Sequence, residues 1–349
     1  MSGGGIVSLL LSAALVGIVV YHYAGRRWPE DKARRDALAL GAAAILLVAG
    51  FAGLWSLLVG YQSDEPLLPI AGVVDKLVDW LVTDYGDVLR ERISNPVVYG
   101  IGFFERFLHR EVAWPLMALL FAGLAYHASR RLGLALFVAA ALVLIWSLDL
   151  WRPTMQTLSL ISVSILLTLA VGLPLGVLMA LSGRFRTVMM PLLDFMQTMP
   201  SFVYLIPVVM LFGLGTFSGV LATAIYAAPP LMRLTDLGIR LVDAEVMEAA
   251  TAFGASRRQK LWRVQLPLAL PNVMAGVNQS IMMALAMVVI ASMIGVRGLG
   301  QEVLYGLQRQ EAGAGFTAGL SIVLLAIILD RITQAYGQRM QAHYRGGAR

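Results

Sequence analysis

Three carboxamides, Gln197, Asn278 and Gln279, stand inside long apolar runs. A polar group at membrane depth is costly unless it faces protein or a water-filled cavity. Each therefore suits two roles, lining a path for a polar solute or making an interhelical hydrogen bond. Pro200 and Pro207 are expected to break the helical hydrogen-bond ladder in the run that holds Gln197. Broken helices near the midplane often mark transport sites, although kinks without function are also common. Tyr204, beside the break, offers a π-face suited to a quaternary ammonium or to plain packing. Gln197, Pro200, Tyr204, Asn278 and Gln279 are thus the candidate path residues. Asp194 and Asp330 fall near the ends of their runs, where a carboxylate reaches the interface, and structural roles suit them better.

Bond-making chemistry is poorly supplied. The chain has no cysteine, so thiol nucleophiles and thiolate metal sites are excluded. His22, His109, His127 and His343 are far apart and adjoin no carboxylate at metal-ligand spacing. No G-x-x-x-x-G-K-[ST] phosphate loop occurs, so the chain is not its own ATPase. An intramembrane enzyme would need a nucleophile and base clustered in the apolar runs, and none is found. No catalytic or metal residue and no cofactor of its own is therefore assigned.

The elements that position these groups follow from composition. Of 349 residues, 58% are hydrophobic and 14% charged, against about 25% charged in a soluble domain. Mean hydropathy is +0.75. The apolar residues must face lipid or one another, which predicts an all-α, polytopic helical membrane protein. Nine spans of about 20 residues are expected, at 5–23, 37–60, 113–129, 133–150, 155–181, 192–214, 217–235, 272–295 and 315–336. Pro200, Pro207, Pro229 and Pro230 interrupt the sixth and seventh. Basic residues follow every odd span, as at Arg26, Arg27, Arg130, Arg131, Arg184, Arg186, Arg257, Arg258 and Arg339. The positive-inside rule then puts the N-terminus outside and the C-terminus inside. Because these charges sit in short interspan clusters, the net charge of +6 points to topology and not to nucleic acid. Met1 to Gly5 carries no basic residue, so the first run is expected to stay as an anchor and not to be a cleaved signal.

The external stretch 61–112 carries amphipathic patterns. Val74, Leu77, Val78 and Leu81 recur at helical spacing, as do Phe104, Phe107 and Leu108. Helices lying on the membrane, or a docking surface for an external partner, both fit. Gly172 and Gly176 suit close helix approach, Gly213 and Gly215 a tight turn.

The stretch 236–271 has an order of its own. Asp243 can cap a short helix from Ala244 to Phe253 in which Met247, Ala250 and Phe253 share a face. Gly254 suits a turn needing positive φ. Ser256 and Gln259 form a capping-box pattern opening a second helix, expected to end at Leu266-Pro267. The product is a rigid helix-turn-helix elbow shaped to press against another protein.

Glu248-Ala249-Ala250, Gly254 and Val264-Gln265-Leu266-Pro267 resemble the EAA loop of ABC importer permeases: EAA, three residues, G, nine residues, I, one residue, LP. Every spacing fits, with Val264 in place of isoleucine. Over roughly 155–337 the wording is similar to permeases for glycine betaine and proline, as in Asp194-Phe195-Met196-Gln197-Thr198-Met199-Pro200 and Ala275-Gly276-Val277-Asn278-Gln279. The resemblance implies a type I ABC importer permease core with extra N-terminal spans, in the bacterial plasma (inner) membrane. It implies a coupling helix in which Glu248, Ala249, Ala250, Gly254, Leu266 and Pro267 meet a cytoplasmic ATPase subunit, which binds ATP and Mg. An external solute-binding protein and a second copy of this chain, forming a homodimer in the lipid bilayer, complete the assembly. The solute implied is glycine betaine, proline betaine or a related quaternary-amine osmoprotectant.

The expected divisions are 1–151 for accessory spans, 152–337 for the permease core and 338–349 for a cytoplasmic tail. The rival reading is a self-sufficient secondary transporter or osmotically gated channel, which would have no use for an ATPase socket.

Overall fold

A computed structural model describes residues 70–346, and every regular element in that stretch is helical. Contacts divide the chain into two compact units, Met1–Lys76 and Leu77–Arg349. The expected spans 5–23 and 37–60 lie outside the described residues. The division falls inside α1 (Ile70–Val88), and a π-turn (Leu89–Ser94) leads from α1 into α2 (Asn95–Arg106). The expected amphipathic helices are thus present. In the second unit Ile101 and Leu108 are buried in the main core, and Gln156 Nε2 donates to Glu105 Oε1 at 2.9 Å. This segment packs on the main helical core and does not merely rest on a membrane.

An antiparallel hairpin follows, α3 (Trp114–Ser129) and α4 (Leu132–Ser147). Each has 16 residues, about 24 Å at 1.5 Å per residue, short of a 30 Å hydrocarbon core. Their inner face, including Met117, Val138, Leu142 and Ile145, joins the same core as the later helices. The contact boundary lies near Leu77.

Three helices among the described residues are long and apolar enough to cross a membrane by length and composition. They are α5 (Trp151–Leu181), the continuous run Arg257–Ser292, and the final helix α13 (Ala312–Gly346), of which Ala312–Arg339 qualifies. A fourth crossing arises if α6 (Gly183–Thr198) and Ser201–Phe212, which includes α7 (Leu205–Phe212), count as one broken span bent by 113°. The interruption expected at Pro200 within the span 192–214 is where the helix breaks. A residue before proline is driven out of the helical region, and Met199 (φ −68°, ψ 134°) and Pro200 (φ −55°, ψ 135°) are both extended. Pro207 breaks nothing, contrary to expectation. It falls in the first turn of α7, where a missing N–H has no partner to lose.

Pro229 and Pro230 likewise leave α8 (Thr216–Arg240) continuous. Packing overrides the local penalty, because α8 is clamped between α5 and α11 (Leu266–Ser292). A Cβ at Gly176 would lie 2.7 Å from Thr235 Cβ and 2.9 Å from the Met232 carbonyl; one at Gly276 would lie 3.1 Å from Leu231 Cα. Serine and threonine fasten the same contact: Thr168 Oγ1 donates to the Ala224 carbonyl at 3.1 Å and Ser280 Oγ to that of Ala227 at 2.6 Å. In an apolar setting such close approach and hydrogen bonding take over from the hydrophobic effect as the source of helix association. One further helix, α12 (Leu299–Gln308), begins where Thr157 Oγ1 of α5 accepts from Leu299 N at 2.8 Å.

Candidate functional site

The elbow forms between α8 and α11. α9 (Ala244–Ala252) starts where Asp243 accepts from Glu245 N at 2.8 Å. It ends in a Schellman-type turn, with Ala255 N donating to the Ala250 carbonyl at 3.0 Å and Gly254 at φ +75°. α10 (Arg257–Lys260) opens on a full capping box between Ser256 and Gln259. Lys260 Nζ donates to Thr251 Oγ1 at 3.0 Å, tying the two short helices together.

Three details differ from the sequence expectation. The stretch from Asp236 to Arg240 still belongs to α8, so the elbow starts later. Phe253 lies beyond the end of α9 and leaves the shared face, so it is 91% exposed while Met247 and Ala250 are half-buried. The second helix does not end at Leu266-Pro267. A π-turn at Leu261–Gln265, with Leu266 N donating to the Leu261 carbonyl, carries the chain past the proline and straight into α11.

α9 has no buried residue. Glu248 and Ala249 are exposed, Ala250 half-buried, and Phe253, Val246 and Trp262 present apolar surface. Leu266 and Pro267 are half-buried and line, with Trp262 and Leu178 of α5, an apolar groove of about 640 Å³. The elbow therefore divides into an outward face on α9 and a root packed toward α5.

A cluster that the sequence reading missed anchors that root. Asp236 is 1% exposed. It accepts from Arg186 Nε of α6 at 2.9 Å and from Arg240 Nε at 2.7 Å. Arg240 Nη2 also donates to the Met179 carbonyl of α5 at 2.7 Å. One carboxylate thus joins the ends of α5, α6 and α8 immediately before the elbow. Two turns along α6, Asp194 pairs with Arg233 at a wetter position. The i, i+4 spacing of Asp236 and Arg240 was a legible signal for part of this.

The candidate path residues do not form one constellation. Asn278 and Gln279 line a cleft of about 470 Å³ between α11 and α13, with Met274, Met282 and Gln334. Asn278 Nδ2 donates to Asp330 Oδ1 at 2.8 Å, as does Gln334 Nε2 at 2.7 Å, and Asn278 Oδ1 is buried with no partner among the described residues. Gln197, Pro200 and Tyr204 do not line this cleft. Gln197 and Pro200 are exposed on either side of the break. Tyr204 is buried, its hydroxyl donates to the Met196 carbonyl across the break, and its ring meets Tyr226 edge-on at 5.5 Å. Both are packing contacts within the core.

The chain's relatives match this architecture. Residues 172–342 fit the family described as binding-protein-dependent transport system inner membrane component. The glycine betaine/carnitine transport permease protein GbuB of Listeria monocytogenes is 47% identical, covering 79% of this chain and 98% of its own length. The glycine betaine/proline betaine transport system permease protein ProW of Escherichia coli is 46% identical over 78% of this chain and 77% of that protein. The glycine betaine transport system permease protein OpuAB of Bacillus subtilis is 42% identical over 77% and 94%. With an all-helical body and apolar helices able to cross a bilayer, the chain belongs to the inner-membrane permease components of binding-protein-dependent ABC transport systems and is a multi-pass membrane protein.

Proposed function

We propose that this chain is the membrane-spanning permease subunit of an ATP-driven importer for glycine betaine, proline betaine or a related quaternary-amine osmoprotectant. The observation that carries the coupling half of this reading is the elbow: capped at both short helices, turned by a left-handed glycine, and with α9 unburied. The solute class rests on the relatives, three of which carry glycine betaine in their names. Energy comes from a cytoplasmic ABC ATPase that seats α9 through Glu248, Ala249, Ala250 and Gly254. Leu266 and Pro267 hold the root of the elbow against α5. Burial of a side chain such as Phe253 in a partner socket is worth roughly 1.5 to 3 kcal/mol, enough for a few such contacts to hold a subunit. An external binding protein delivers the solute, and a second copy of the chain completes the path. Asn278 and Gln279 are the path residues retained, because their cleft has room and an unpaired acceptor. A secondary transporter is not favoured, since it leaves the exposed elbow without a role.

Uptake by the assembled system should be suppressed by excess glycine betaine or proline betaine and left unchanged by sugars and peptides. Competition by maltose alone would remove the osmoprotectant assignment while leaving the permease assignment standing.

Nine spans with the N-terminus outside remain the proposed topology. The absence of native cysteine allows single cysteines at Ser2, Ser129 and Ala348 without background. Only the first should react with an impermeant reagent in intact cells; labelling at Ala348 from outside would refute the odd span count.

A further inference from the structure

In the second unit, at the end of the helices from which the elbow projects, lies another concavity of about 440 Å³, between the α3–α4 turn and α13. Four arginines border it: Arg130 and Arg131 from the turn, Arg331 and Arg339 from α13. None of its lining residues is acidic, and none of the four arginines forms an ion pair among the described residues. Asp330, beside Arg331 in sequence, is occupied by Asn278 and Gln334.

The positive-inside rule explains basic residues at one end of a membrane protein, and any scatter would satisfy it. It does not explain why two arginines from each of two distant segments converge on one hollow. The walls are also fixed. Arg339 Nη1 donates to the His127 carbonyl at 2.6 Å, and His127 Nδ1 lies 3.0 Å from the Tyr336 hydroxyl, which bolts the end of α3 to α13. Arg130 moreover sits at φ +55°, a conformation glycine adopts without steric cost and most residues avoid. An arginine kept at that position holds a guanidinium on the rim at the expense of local backbone comfort.

Four like charges around one hollow repel each other until an anion enters. The guanidinium fork matches tetrahedral oxyanions, with two parallel N–H donors per phosphate. We propose that the Arg130, Arg131, Arg331 and Arg339 cleft binds a phosphate-bearing anion, either the headgroup of an anionic phospholipid or free phosphate.

The test uses the purified full-length chain, stripped of lipid in neutral detergent, incubated with equal amounts of phosphatidylglycerol and phosphatidylcholine, and examined by native mass spectrometry. Phosphatidylglycerol should be retained in preference to phosphatidylcholine, and Arg131→Gln with Arg331→Gln should lower that retention about tenfold, the effect of losing one or two charge-assisted contacts. Arg90→Gln with Arg92→Gln, which removes the same charge elsewhere, should leave it unchanged. Millimolar inorganic phosphate that displaces the lipid would support a site open to free phosphate; lipid that resists it would support a headgroup site. Arg130→Gly provides a variant whose backbone is relieved, so retention should fall with no loss of melting temperature. Equal retention of the two lipids by the unmodified chain, or undiminished phosphatidylglycerol retention in the Arg131/Arg331 or Arg130 variants, would overturn the proposal and leave the arginines as topology signals.

Discussion

Gly254→Val is expected to cut solute-stimulated ATP hydrolysis by the assembled transporter at least tenfold while membrane levels of the permease stay near normal. Gly254 holds φ +75° and a Cβ there would meet nothing within 4 Å. The cost is therefore purely conformational, about 1 to 3 kcal/mol for a β-branched residue forced into the left-handed region. A chain that escapes the penalty must move Gly254 out of that region, which breaks the Ala255 N to Ala250 carbonyl bond and swings α9 relative to α10. No buried helix contact is touched. Glu248→Lys makes the complementary test, because Glu248 is exposed and makes no hydrogen bond or ion pair among the described residues. Reversal of its charge should spare the permease fold and weaken ATPase co-purification. Wild-type transport with the ATPase bound, in both variants, would remove the coupling role of α9.

The elbow was the most legible part of the chain because its signals are local. A capping aspartate, a left-handed glycine and a Ser-x-x-Gln box act within a few residues of themselves, so Asp243, Gly254 and Ser256 specify their turns whatever surrounds them. Prolines were less legible, since their effect depends on position and packing. Pro200 breaks its helix; Pro207 sits harmlessly in a first turn; Pro229 and Pro230 are absorbed in a helix gripped from both sides by glycine-lined contacts. Pro267 is passed by a π-turn that no periodicity announces. The path candidates were the least legible. Polarity in an apolar run marks Tyr204 and Asn278 alike, yet one hydroxyl caps a backbone break while the other side chain leaves an acceptor open beside a cleft. What separates them is the partner brought by distant helices, 52 residues away for Asn278 and Asp330.

The same distinction between local and distant partners bears on Asp236. Its carboxylate is 2% exposed and lies between Arg186 and Arg240, whose side chains are 43% and 38% exposed. Removal of one member of a fully buried ion pair costs about 3 to 5 kcal/mol, because the remaining charge loses its compensation. Here water reaches both guanidiniums, and Arg240 keeps the Met179 carbonyl as acceptor, so about 2 to 3 kcal/mol is the appropriate expectation for Asp236→Asn. That corresponds to a fall in melting temperature of roughly 5 to 10 °C in detergent for a domain of this size. Asp194→Asn provides the internal comparison, since it severs a link between the same two helices. Its carboxylate is 65% exposed, and an exposed pair contributes under about 1 kcal/mol, so the shift should be no more than a few degrees. If the two variants melted alike, burial of Asp236 would not be what fastens α5, α6 and α8 at the root of the elbow. If Asp236→Asn also lowered transport while ATP hydrolysis continued, the same carboxylate would be the rigid joint through which movement of α9 reaches the spanning helices.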